Sequence, residues 1–296
     1  MNNKGGVMRL DWLIRMKDAL DLIETKIEEQ LDIGDIAKVA CSSPFHFQRM
    51  FHMLTGMTVA EYIRKRKLTL AAQEFSMTSA KVLDVALKYG YDSPESFSKA
   101  FRKLHGVPPS EARGSGVRLK AFPRISFHLS LKGDKNMDYK IVDRSAFTVI
   151  GKAIQVTTKD GENLRQIPKL WAECNEDGTT DRLCAIGIDK DLLGICMDFQ
   201  HEQEQFTYLI AVEDSSGALV EEGLVSKTVP ASTWAVFTSV GPMPGAIQDV
   251  WKRIFQEWFP ATGNEHSGGP ELEVYPLGDT TAEDYACEVW VPIVKK

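Results

Sequence analysis

At 296 residues the chain has room for two domains of ordinary size, and 43% hydrophobic residues give each a core to bury. No apolar stretch approaches the roughly 18 residues of a membrane span and none near the N-terminus has signal-peptide length, so a cytoplasmic protein without a membrane partner is expected. The net charge of −6 divides unevenly: residues 1–116 carry +3, 117–136 carry +4 and 137–296 carry −13, which predicts two surfaces with different partners.

Five cysteines, Cys41, Cys174, Cys184, Cys196 and Cys287, are widely separated and form no CxxC pair. They read as reduced thiols, and neither they nor the six histidines show metal-ligand spacing, so no metal site and no cofactor are expected.

In chain order, Trp12, Met16, Leu20, Ile23 and Ile27 mark an amphipathic helix, and Ile33–Ala40 a short one. Next comes the first copy of a repeat: Ser43 to Phe51 and Ser93 to Phe101 both read S-P-x-x-F-x-R/K-x-F, each followed five residues on by glycine, Gly56 and Gly106. Serine then proline starts a helix, phenylalanines four apart share its buried face, and glycine suits its end. Each copy is preceded by a short helix, Ile33–Ala40 or Val82–Tyr89, with Ala37 or Ala86 where a crossing helix needs close approach. A connecting helix near Val59–Phe75 carries Arg64-Lys65-Arg66-Lys67. Seven helices in all, containing helix, turn, helix twice, make one α-domain over residues 1–116, and Arg113-Gly114-Ser115-Gly116 reads as a linker.

A helix in the major groove sets side chains three or four apart on base edges, Arg and Lys favouring guanine and Gln favouring adenine. Gln48 and Arg49 lie opposite Phe47 and Phe51, on the edge expected to be exposed, and are the first choice for base contacts. The equivalent edge of the second copy offers Glu95, Ser96 and Lys99. His46 and His52 read as surface or packing residues, with His46 kept among the DNA-facing candidates.

These residues resemble the double helix-turn-helix domain of the AraC/XylS family of transcription regulators. The resemblance is carried by A-x-x-x-C-S-S-P-F-H-F-Q-R-M-F from Ala37, G-M-T-V-A-E-Y-I-R-K-R-K-L from Gly56, G-Y-D-S-P-E-S-F-S-K-A-F from Gly90 and G-V-P-P-S-E-A-R ending at Arg113. It implies double-stranded DNA as a partner, base contacts from Phe45, Gln48 and Arg49 and from Glu95, Ser96 and Lys99, and phosphate contacts from Arg64 and Arg113. Cys41 stands where the family usually has glycine, and Lys99 where arginine is common.

Beyond about Arg124 the period becomes that of strands: Ile125–Leu131, Phe147–Val156, Leu183–Ile188, Phe206–Val212, Thr233–Val240, Leu272–Tyr275 and Tyr285–Ile293. Helices near Leu164–Glu176 and Ala246–Phe259 share I-x-x-L/V-W, as Ile167/Leu170/Trp171 and Ile247/Val250/Trp251. The expected fold is therefore multidomain: the all-α domain plus an α+β domain over 124–296, a duplicated β-α-β-β unit with helices on an antiparallel sheet.

This second region carries no phosphate loop and no nucleophile elbow, so no catalytic residue is assigned and an enzyme is not expected. It resembles the GyrI-like effector-binding domain fused to AraC-type regulators in multidrug-responsive activators, through M-D-Y-K-I-V-D-R-S-A-F-T-V-I-G-K from Met137, S-T-W-A-V-F from Ser232, G-P-E-L-E-V-Y-P from Gly269 and C-E-V-W-V-P-I from Cys287. The resemblance implies a small, cationic or lipophilic effector, an activator's recruitment of RNA polymerase, and a pocket glutamate.

Glu288 is the first choice for that carboxylate, with Trp290 on the same strand face, since a carboxylate beside an aromatic ring suits an organic cation. Glu273 and Tyr275 form a similar pair, and Tyr208, Trp171, Trp234 and Trp251 are candidate wall residues. Two alternatives stay open for this region: a hydrolase using Glu288 with Tyr208 or Tyr275, and a protein-binding module.

Overall fold

The computed structural model describes residues 11–114, 116–126, 137–187, 190–200, 203–214 and 220–295. The N-terminal part is helical: α1 (Asp11–Thr25), α2 (Ile33–Val39), α3 (Pro44–Thr55), α4 (Val59–Met77), α5 (Val82–Lys88) and α6 (Pro94–His105). Six helices rather than seven are present among the described residues, because 108–114 closes only successive turns. The side chain of Trp12, Ser115 of the linker and residues 127–131 of the strand expected at Ile125–Leu131 lie outside the described residues.

The repeat folds as its chemistry requires. Ser43 Oγ accepts from the His46 amide at 3.2 Å and Ser93 Oγ from the Ser96 amide at 3.1 Å, capping α3 and α6. Gly56 and Gly106 end them at φ of +72° and +84°, a region only glycine enters without cost. Phe47, Phe51, Phe97 and Phe101 are wholly buried, as are Ala37 and Ala86 where the helices cross. The turn of the first unit puts Cys41 at φ +49°, where Gly90 of the second unit sits at +76°.

The second part is a duplicated unit. β1 (Tyr139–Arg144) and β2 (Phe147–Thr157) lead through α7 (Asn163–Glu176) and α8 (Thr179–Ile186) to β3 (Leu192–Gln200) and β4 (Gln205–Glu213). β5 (Val225–Val229) and β6 (Ser232–Val240) lead through α9 (Gly245–Arg253), which runs on as a π-turn and α10 (Phe259–Ala261), to β7 (Asn264–His266), β8 (Glu271–Tyr275) and β9 (Ala286–Lys295). The antiparallel order β1-β6-β9-β8-β3-β4-β2-β5, with β7 on β9, has its approximate two-fold between β8 and β3. Leu183–Ile188 is not a strand: its described part forms the end of α8, with Leu183 turned into the core. The apolar run was too short to separate a buried strand from a buried helix turn.

The sheet has two unlike faces. One, with Ala235, Phe237, Val289 and Val291, packs under Ile247, Trp251, Ile254 and Phe255 of α9 and its extension. The other carries Val149, Ile195, Leu209, Trp234, Val236 and Leu272, which pack together as the sheet rolls on itself.

The two parts of the chain share a core. Phe47, Phe51 and Met16 belong to the same apolar cluster as Trp251, Phe255 and Val291. By contrast the second helix-turn-helix unit has its own core of Leu68, Phe75, Val85, Phe97 and Phe101, separate from the sheet.

Candidate functional site

Helix α6 leaves its polar edge in water: Glu95, Ser96 and Lys99 are exposed, above a face sealed by Phe97 and Phe101. Arg64 on α4 is exposed too. Lys65 and Arg66 of the same run are engaged within the protein. Arg66 pairs with Glu24 at 2.7 Å and donates to the Phe122 carbonyl at 2.7 Å, and Lys65 pairs with Glu61 at 2.7 Å. Arg113, also exposed, donates to the Ala80 carbonyl and lies with Cζ 5.5 Å from the Phe75 ring.

Helix α3 does the opposite, and the expectation of an exposed reading edge is corrected here. Phe45 is buried between Phe199 and Phe206, with ring centroids 4.5 and 4.6 Å away. His46 stacks on His266 at 4.3 Å. The Gln48 side-chain amide donates to Thr158 Oγ1 at 2.8 Å and Glu204 Oε2 at 3.2 Å. Arg49 Nη1 lies 2.8 Å from Glu271 Oε2, and its Cζ sits 3.9 Å from the centre of the Trp251 ring. The physical reason is apolar: Phe45 and the Phe47/Phe51 face join clusters to which the second domain contributes, and the polar edge between them is carried inside.

Glu271 is 1% exposed. Burial pushes its pKa up, but Arg49, with His266 at 3.1 Å, outweighs this and holds the carboxyl down to about 2. Burial lowers the Arg49 pKa, and Glu271 together with Cys196 and Glu273 more than restores it, so the ion pair stays charged. His46 is pushed well below 6.5 by burial first, then by His266 and Arg49, and is neutral. His46, His266 and Glu271 bring ligand-type atoms within 4.8 Å of one another from three separate stretches, a convergence invisible in spacing. Arg49 on the same carboxylate opposes a divalent cation there.

Beside this pair a cavity of about 350 Å³ opens between α3, α7, α9 and the sheet. Its polar wall is Glu273, whose Oε1 accepts from Trp251 Nε1 at 2.7 Å and whose Oε2 accepts from the Tyr275 hydroxyl at 2.8 Å. Trp171 Nε1 donates to the Tyr208 hydroxyl at 2.8 Å, so the tryptophans of the two I-x-x-L/V-W helices each dock on a polar group of the sheet. Burial, with Glu273 nearby, raises both tyrosine pKa values well above 10, keeping the phenols protonated. Gly194 of β3 makes room: a Cβ there would stand 2.6 Å from the Tyr208 hydroxyl. Ile167 and Pro168 of α7 add apolar wall.

Glu288 is not part of this site. It lies on the rolled face with Trp290, accepts from Lys140 Nζ and Trp290 Nε1 at 2.8 Å each, and is separated by the sheet from Tyr208 and Tyr275. Trp234 is likewise buried on that far face, 6.0 Å from Trp290. Strand parity placed Glu288 with Trp290 correctly, but which face meets the helices is a tertiary fact. The trio invoked for hydrolysis therefore does not converge. Glu271, Gly194, Cys196 and Thr158 were missed; Glu271 alone had a signal, since E-L-E-V-Y puts it on the face of Glu273 and Tyr275.

Comparisons with known proteins agree with this two-part organisation. Residues 36–115 match the family described as helix-turn-helix domain, and residues 140–293, more than half the chain, match the integron-associated effector binding protein family. The transcriptional regulator Rob of Salmonella typhimurium is 35% identical over 293 residues, 94% of this chain and 97% of that protein. The right origin-binding protein of Escherichia coli is 28% identical over 289 residues, again 94% and 97%. Among solved structures, that of SAV2435 bound to tetraphenylphosphonium covers 53% of this chain and 94% of its own at 24% identity and a TM-score of 0.49. With an end-to-end relative of that identity and both of its domain families matched, the chain belongs to the AraC-type transcription regulators that carry a GyrI-like effector-binding domain.

Proposed function

We propose that this DNA-binding regulator is a sequence-specific activator whose occupancy of duplex DNA responds to a small organic effector held in the cavity around Glu273. The observation that carries the effector reading is a carboxylate caged by Trp251 and Tyr275 on the wall of a 350 Å³ space with apolar sides. The DNA reading rests on α6 and Arg64, which already present their polar edges to solvent, and on α3, which matches α6 residue for residue in cap, core and end. By analogy with its relatives the activator acts through RNA polymerase.

A promoter-occupancy assay with the full chain, run across lipophilic cations and neutral compounds of similar size, tests both domains at once. Cations that change occupancy in the parent but not in Glu273→Gln support the reading; no response to any compound overturns it. Lys99→Ala is expected to cost about 1–3 kcal/mol of specific affinity, and Arg64→Ala to weaken specific and random duplexes alike. Equal loss on both duplexes for Lys99→Ala contradicts the assignment of α6 as a reading helix.

A further inference from the structure

We propose that Arg49 is the chain's own occupant of a planar-cation subsite in the effector cavity, and that an amidinium- or guanidinium-bearing effector displaces it and thereby frees α3 for DNA. The inference rests on reading the cavity as the effector site and adds its ligand class and its coupling to the reading helix.

The subsite is complete without any other ligand. The Arg49 guanidinium lies 3.9 Å over the Trp251 ring, meets the Glu271 carboxylate at 2.8 Å and has Cys196 Sγ at 3.9 Å. An aromatic face and a buried carboxylate are the two elements that recognise a delocalised organic cation. With Arg49 withdrawn, Glu271 at 1% exposure keeps His266 at 3.1 Å as its remaining partner, so a substitute cation is favoured in the place of the guanidinium.

Arg49 is also a poor fit, and therefore replaceable. Its Nε and both oxygens of Glu271 make no directed hydrogen bond among the described residues. An amidinium group with two parallel N–H donors satisfies such a carboxylate better. The adjoining cavity has room for an apolar body attached to it.

The duplicated unit shows where Arg49 goes when released. Lys99 holds the same place, six residues after the cap serine of α6, and faces solvent. One cationic position thus has two destinations, the Glu271 subsite or the DNA groove. A cation that binds Glu271 only when Arg49 has left shifts the balance toward an open α3, and DNA in turn raises affinity for the cation.

The test uses the full chain and benzamidinium, with neutral benzamide as its near-isostere. Binding is followed by tryptophan fluorescence, and backbone exchange by hydrogen–deuterium mass spectrometry. Benzamidinium is expected to speed exchange at least tenfold over residues 44–55 and to leave 94–105 unchanged, with benzamide doing neither. Arg49→Ala, and Arg49→Met as a variant that keeps the apolar stem, are expected to bind benzamidinium at least tenfold more tightly, and adding Glu271→Gln to remove that gain. Equal affinity in parent and variants, with no change over 44–55, overturns the displacement while leaving the cavity reading intact. No binding to the parent or either variant overturns the cation cavity itself and the displacement with it. The exchange measurement on unaltered protein decides the matter even if the variants fold poorly.

Discussion

Helices α3 and α6 share a serine cap, a proline in the first turn, a buried phenylalanine pair and a glycine end, yet the basic residue six positions after the cap meets Glu271 in one and water in the other. Local sequence builds both helices equally well. What separates them is the neighbour: α3 shares its apolar cluster with α9 and the sheet, while α6 closes on α4, α5 and the segment around Ala112. A helix can therefore be complete in its own local chemistry and still have its polar edge enclosed, because that edge travels with whichever apolar face is covered.

That contrast can be broken or sharpened by substitution. The largest effects should be equal in the two units: Phe47→Ala and Phe97→Ala, both fully buried, are each expected to cost about 3–5 kcal/mol in urea denaturation. A much smaller loss for Phe97→Ala would show that the second unit collapses around the space and is less well packed than the first.

Arg49→Ala should divide the units. It strands the buried Glu271 and is expected to cost about 3–5 kcal/mol, whereas Lys99→Ala should stay within about 0.5 kcal/mol. Matching values for the two variants in the same denaturation experiment would mean that the ion pair contributes nothing to the docked state.

Acid should act on both units through buried histidines, His105 of α6 included, and in the first through a buried carboxylate as well. Glu271 has a folded pKa of about 2, below its ordinary 4.5, so its stabilisation is complete above about pH 4.5 and is lost as pH falls toward 2, a change on the order of 3 kcal/mol. His46, depressed below 6.5, works in the same direction: the unfolded chain takes up the proton first, so stability begins to fall below about pH 6.5. Glu271→Gln should flatten the lower limb of the stability profile and His46→Gln the upper limb. An unchanged profile in both variants would place the acid response elsewhere.

The caps should again behave alike. Ser43→Ala and Ser93→Ala are each expected to cost about 1 kcal/mol by thermal denaturation. The smallest effect is a gain: Cys41→Gly relieves a left-handed backbone that Gly90 already suits in the second unit, and should stabilise by about 0.5–1 kcal/mol. Destabilisation by Cys41→Gly would show that the exposed thiol makes a contribution its strain conceals.

Much was legible before any coordinates. Ser-Pro starts, phenylalanines four apart and terminal glycines are local rules, and they located α3 and α6 and their buried faces. The tryptophan repeat of α7 and α9 announced the duplication, though each copy is β-β-α-β-β rather than the expected β-α-β-β, and strand parity put Glu273 with Tyr275 and Glu288 with Trp290. The strands β1, β3, β5 and β7 were not separated from their surroundings, and α8 was read as a strand, because short apolar segments carry too few residues to show a period.

By itself, then, the order of residues determined which elements form, which face of each is apolar and which side chains are paired across a strand or helix turn, since all of these depend on neighbours within a few positions. Only the tertiary structure decided that Glu273 rather than Glu288 lies beneath the helices, that Glu271 meets Arg49 across 222 positions of chain, and that the polar edge of α3 is enclosed while that of α6 is open. Those outcomes turn on which apolar faces find each other at long range, and burial energy carries no record of the sequence distance it spans.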